Sequence, residues 1–222
     1  MKAAMFRMEA DLLSILQGHS RRYFLGTRLS RDSIVFRHFQ VDMTIPDLVF
    51  VGRTSQSKNK QRRLPRLSVF DTWVLAELLQ GSLRHDVITR RLHTRTERTR
   101  SALQRLERFG LVAPLGSGSY GLGKRSLHSS VEVVAVDAKL TRWKQAVVQA
   151  TDFLRFSNRS FVALPETTIA RSAVVAEACL DSGVGLIAVG KKQLRVIVRP
   201  RRRDPRSPEW LWLLSKTVGL PA

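Results

Sequence analysis

Three charged residues have the types and spacing to act on a phosphodiester. Asp137 and Lys139 flank Ala138 at the end of a Val-rich run that begins at Val131, and Asp47 follows Pro46 at the entry to an apolar run ending at Val51. Residues two apart on a strand project from one face, so an extended 131–140 sets Asp137 beside Lys139. Two carboxylates converging on one spot offer hard oxygen ligands to a divalent cation such as Mg²⁺ or Mn²⁺. An adjacent ammonium can orient or help activate a water, or stabilise charge developing on phosphate. The same residues admit a plainer reading, in which two strand-edge carboxylates share Lys139 as an ion-pair partner. Gln149, at the edge of an apolar helix face, either reaches the lysine or a phosphate or is an ordinary surface glutamine. The histidines (His19, His38, His85, His93 and His128) are scattered, and with a single cysteine they form no zinc pattern. Cys179 lies in the apolar run 176–180 and reads as a core residue. Gly116-Ser117-Gly118 lacks the lysine and the following helix of a phosphate loop, so it reads as a hairpin tip.

Asp47 stands ninety residues before Asp137, so their elements must be folded together. Residues 6–17 have helical spacing with a stop at Gly18, and 22–29 and 33–41 read as extended. Residues 45–51 read as a buried strand entered through proline. Toward the C-terminus, strands are expected at 131–140, 160–164, 184–189 and 194–198, and helices at 142–156 and 167–180. This alternation predicts an α/β fold, a mixed sheet flanked by helices. The expected domain made from both ends of the chain comprises 1–52 and 131–222, and it closes with an apolar Trp210-Leu211-Trp212-Leu213-Leu214 segment that must pack on the body or on a partner. A homodimer is one outcome.

Between the two halves, residues 53–66 hold Arg53, Lys58, Lys60, Arg62, Arg63 and Arg66 without an acid, which is a solvated basic linker able to touch phosphates. Residues 67–123 then read as three short helices and a Gly-rich hairpin, the pattern of a winged helix-turn-helix. Asp71 is the expected cap of the first helix. The third, starting at Thr94 or Thr96, sets Arg98, Ser101, Arg105 and Arg108 on one flank, with Arg95 at its start. Arginine suits this place because its fork can hold a guanine edge or a phosphate. Protein contact, or mere solvation of the helix face, are the competing readings.

The whole chain carries 38 Lys and Arg against 18 Asp and Glu, a formal net charge of +20 and a sequence pI near 11.5. Such a field gathers polyanions, so DNA or RNA is the expected partner. A membrane surface is disfavoured because the cations are spread along the chain and no apolar stretch approaches the roughly 20 residues of a spanning helix. The start has no apolar core or cleavage site of a signal peptide, and one cysteine excludes an intramolecular disulfide framework. A cytoplasmic location is expected.

Pro46-Asp47 followed by Asp137-Ala138-Lys139 resembles the PD-(D/E)xK nuclease superfamily, the restriction-endonuclease-like fold. The continuation Leu140-Thr141-Arg142-Trp143 with Ala146, Gln149 and Ala150 is similar to the helix after the active-site strand of such proteins, and 161–165 and 183–189 look like their closing elements. The resemblance covers 1–51 and 131–199, with the winged helix as an insertion. It implies that Asp47 and Asp137 bind Mg²⁺ (or Mn²⁺), that Lys139 assists the attacking water, and that Glu9 matches an acid of the first helix. The implied activity is metal-dependent cleavage of double-stranded DNA. The alternatives are a non-catalytic DNA-binding or regulatory protein on the same fold, and an RNA-binding protein.

Overall fold

The computed structural model describes residues 6–23, 34–41, 43–53, 65–124, 131–170, 172, 174–191 and 193–216. The chain enters through helix α1 (Glu9–Tyr23) and strands β1 (Ile34–Arg37) and β2 (Leu48–Arg53). It continues with α2 (Val69–Leu78), β3 (Leu83–Arg84), α3 (His85–Arg91), α4 (Thr96–Arg108), β4 (Val112–Gly116) and β5 (Ser119–Leu122). Then come β6 (Val131–Ala138), α5 (Trp143–Phe153), β7 (Arg159–Pro165), α6 (Glu166–Ile169), α7 (Val174–Ser182), β8 (Gly185–Val189), β9 (Leu194–Val198) and α8 (Pro208–Lys216). Two compact units result: 6–53 with 131–205, and 65–124 with 206–216.

The first unit is a six-stranded mixed sheet in the order β1-β2-β6-β7-β8-β9. β6, β7 and β8 run parallel because helices carry the chain back between them, whereas β2 meets β6 and β8 meets β9 antiparallel. Helices cover both faces. On one, Leu12, Leu13 and Leu16 of α1 pack with Phe50, Val134, Phe161 and Ile187. On the other, Ala146, Val147 and Ala150 of α5 and Cys179 of α7 pack with Val162, Leu164 and Leu186. Burial on both faces explains why β6 is mostly apolar, with all eight residues buried and only Glu132 and Asp137 charged. Gly185 on β8 is opposite Phe161, and a Cβ there would lie 2.3 Å from the Phe161 ring. Any larger residue would push that ring out of the core.

The second unit sets α2, α3 and α4 with a small antiparallel sheet, β3-β5-β4. The β4–β5 hairpin turns through Gly116, Ser117 and Gly118, all left-handed at φ +88°, +50° and +73°. Two glycines let this tip form with one strained residue. Leu75, Leu78, Ile88, Leu103 and Leu106 form its buried interior.

Several expectations are corrected. α1 runs through Gly18 to Tyr23, since a single helical glycine costs only about 1 kcal/mol. The helix expected over 167–180 is two, α6 and α7. The cap of α2 is Ser68, not Asp71: the Asp71 N–H donates to Ser68 Oγ at 3.1 Å and the Ser68 N–H to Asp71 Oδ2 at 3.0 Å. The C-terminal apolar segment does not join the α/β unit, as an assignment of 131–222 would have it. From Arg206 onward it belongs to the second unit, where α8 packs against α2, Trp210, Leu211, Leu213 and Leu214 are buried, and an Arg206 guanidinium nitrogen donates to the Leu79 carbonyl at 3.2 Å. An apolar segment fills whichever core lacks surface, and sequence adjacency does not name that core. Trp210 is therefore used within its own unit. Among the described residues no helix is long and apolar enough to cross a membrane. The linker cations Arg62 and Arg63 lie outside the described residues.

Candidate functional site

The β2–β6 ladder ends at Leu48↔Val136, so the next residues outward are Asp47 on β2's approach and Asp137 on β6. Antiparallel register thus closes the ninety-residue gap in sequence. The Ala138 N–H donates to Asp47 Oδ2 at 2.8 Å, which fixes the Asp47 carboxylate against the end of β6. Lys139 Nζ donates to Asp137 Oδ1 at 3.1 Å and lies 3.6 Å from Asp47 Oδ2. Its backbone is pinned in turn, the Lys139 N–H donating to the Ala163 carbonyl at 3.1 Å. The period-two expectation places Asp137 and Lys139 together, and so does the structure.

Asp137 is 1% exposed, and its Oδ2 has no hydrogen-bond partner among the described residues. Burial foremost, together with the negative charges of Asp47 and Glu9, pushes its carboxyl up to about 6, against the pull of the Lys139 ammonium. Burial alone would lower the Lys139 ammonium, but the carboxylates of Asp137, Asp47 and Glu9 more than offset it and hold the group above its ordinary value. These carboxylates thus favour the charged form of Lys139.

Glu9 is exposed in the first turn of α1, and its charge is felt at both Asp137 and Lys139. Gln149 on α5 is half-buried, with an Oε1 that is buried and has no partner among the described residues. One neighbour escaped sequence reasoning. His38 Nδ1 lies 3.8 Å from Asp47 Oδ1, and the His38 N–H donates to the Asp47 carbonyl at 3.1 Å. The only signal is conformational: His38 has φ +46°, a left-handed turn that no spacing rule reveals. Among the described residues no group of three or more His, Cys, Asp or Glu is placed to hold a metal, so the carboxylate set at this spot is the Asp47–Asp137 pair.

In the second unit α4 buries Thr99, Ala102, Leu103 and Leu106 and leaves Arg95, Arg98, Arg100, Ser101 and Arg108 exposed. Arg105, expected on the same flank, also has a partner inside the unit. Its guanidinium holds the buried Asp71 carboxylate at 2.7 Å, tying α4 to the N-terminus of α2. Arg98 lies over the Phe70 ring, 4.3 Å from the centroid, and Arg91 donates to Glu77 at 2.9 Å.

No family model matches the chain, and no curated protein does. A solved structure of a protein of unknown function from Silicibacter pomeroyi is similar over 53% of this chain and 77% of its own, with 17% identity and a TM-score of 0.29, which carries no argument about fold or function.

Proposed function

We propose that the protein is a DNA-binding phosphodiesterase: a restriction-endonuclease-like α/β domain with a winged helix-turn-helix that holds double-stranded DNA. The observation that carries this reading is the convergence of Asp47, Asp137 and Lys139 at the open ends of two central strands. Sheet, helices on both faces, and the order of elements around the acids support it. For the DNA contact, the order α2-β3-α3-α4-β4-β5 and the arginines of α4 support it. Arg95, Arg98, Ser101 and Arg108 are the contacts; Arg105 serves the fold.

The residues fit a hard divalent cation. Asp137 Oδ2 is a buried oxygen lacking a partner among the described residues, and Asp47 adds a second carboxylate. Asp47 and Asp137 would hold Mg²⁺ or Mn²⁺, with Glu9 and Gln149 as accessory groups, and the ion when bound supplies Lewis-acid polarisation of the phosphate. Lys139, kept protonated by its carboxylates, orients the attacking water and stabilises negative charge on the phosphate oxygens.

One observation favours a second reading. Lys139 already spans both carboxylates and no third metal-ligating residue joins them among the described residues, as in a buried ion triad that only stabilises a DNA-binding fold. Incubation of labelled linear, supercoiled and branched DNA with Mg²⁺ or Mn²⁺ separates the two. Metal-dependent cutting lost in Lys139→Ala and Asp137→Ala is the expected result. Tight binding without cutting selects the regulatory reading, and cutting that survives both substitutions places the centre elsewhere. Preference for RNA over duplex DNA would overturn the DNA assignment.

A further inference from the structure

Helix α2 lends much of its surface to the core: Val74, Leu75, Ala76 and Leu78 are buried. Yet Val69 and Trp73, four apart and so on one face, are 60% and 45% exposed. They border a cleft of ≈ 420 Å³ that Phe70 of the same helix, Arg91, Leu92 and Arg98 also line. The indole contributes a flat apolar wall. Arg98 contributes a flat cationic one, since its guanidinium is already stacked on Phe70 at 4.3 Å. The bond from Arg91 to Glu77 holds a second guanidinium at the rim. No carboxylate lines this cleft.

A flat aromatic surface beside fixed arginines, with no carboxylate in the lining and Glu77 engaged by Arg91 at the rim, suits a planar ligand that carries negative charge. We infer that this cleft binds an unpaired base of a DNA strand, stacked on Trp73, with the adjoining phosphate held by Arg98 and Arg91. The inference rests on the DNA-binding reading above and names its substrate class: duplex DNA with a single-stranded tail, gap or branch. Continuity supports DNA over an acidic peptide. Arg98 lines the cleft and belongs, with Arg95, Ser101 and Arg108, to the proposed duplex contact, so a strand leaving the duplex meets the cleft directly.

The test measures binding of the full chain to three probes: a blunt duplex, the same duplex with a short oligothymidine tail, and the same tail made of abasic sites. The tail is expected to raise affinity about tenfold or more. Trp73→Ala and the abasic tail each remove that gain while blunt-duplex affinity stays unchanged, and Trp73→Phe, which keeps an aromatic face, retains most of it. A tail without effect overturns the inference, as does a gain that survives Trp73→Ala or is equally large with the abasic tail. Displacement of the tail by an acidic, leucine-containing peptide, with no response to abasic substitution, assigns the cleft to a protein segment instead. If no duplex binds at all, the DNA-binding reading fails along with it; if the blunt duplex binds and the tail adds nothing, only this inference does.

Discussion

Asp137 is the residue on which the proposed chemistry and the stability of the first unit meet. It is buried, and one of its oxygens goes unpartnered among the described residues, so its ionised form is disfavoured in the folded state. Its carboxyl stands at about 6, against an ordinary 3.8. With the folded value raised, the group's stabilising contribution is complete below about pH 4. It is lost as pH rises through about 6, and constant above, because the unfolded chain releases the proton first. A carboxyl held that far above its ordinary value corresponds to about 3 kcal/mol. Other carboxylates titrate in the same range, so the difference between wild type and Asp137→Asn isolates this one. Denaturant unfolding should show the variant gaining about 3 kcal/mol relative to wild type between pH 4 and 6, then no further change. A difference that stays flat across that window would mean Asp137 is ionised as easily in the fold as out of it. The pairing of Asp137 with Lys139 was legible from period-two spacing alone, whereas His38 was not, because only the left-handed turn at that residue brings it to Asp47.

At the scale of elements, legibility followed the length of the apolar signal. The long Val-rich run of β6 and the amphipathic α5 could be read directly, since burial on both faces leaves a continuous apolar run and burial on one face imposes a helical period. β3 could not: it has two residues, and it exists only because β5 offers them a partner. The break between α6 and α7 and the affiliation of α8 with α2 were equally hidden, for they depend on which surfaces remain uncovered after the strands have paired. The clearest case is the α2–α4 contact. Arg105 has the spacing of a DNA-facing arginine, yet its partner Asp71 lies 34 residues upstream and is buried. Asp71 also closes the capping box of α2 with Ser68. Loss of the carboxylate therefore removes the reciprocal half of the capping box, the bond from the Ser68 N–H, while the Ser68 cap itself remains, and it leaves Arg105 half-buried without its counter-ion. Asp71→Ala should cost about 2–4 kcal/mol in thermal or denaturant unfolding of the second unit. Arg105→Ala should likewise lower stability, and at temperatures where the unit remains folded it should leave affinity for duplex DNA close to wild type. A large loss of affinity at full stability would return Arg105 to the DNA-contacting set.

For the molecule as a whole, the dominant quantity is the net charge of +20. An excess of that size predicts that association with DNA is driven in large part by release of counterions from phosphates, and that affinity falls linearly with salt on a double-logarithmic scale. What the charge alone does not say is which cations make the contacts. The fold separates them: Arg105, Arg159 and Lys139 are committed to internal carboxylates, whereas Arg95, Arg100 and Arg108 are exposed along α4. Each exposed arginine that neutralises one phosphate contributes about 0.9 to the slope. Arg108→Ala should therefore weaken binding to unrelated duplex sequences by a similar factor and reduce the salt slope by about 1. Arg159→Ala, which uncovers the buried Glu132 carboxylate by removing its contact at 2.6 Å, should leave the slope unchanged while destabilising the first unit. If Arg108→Ala instead discriminates strongly among duplex sequences, its guanidinium reads a base edge and not a phosphate. Unchanged affinity and slope in Arg108→Ala would move the duplex contact off α4.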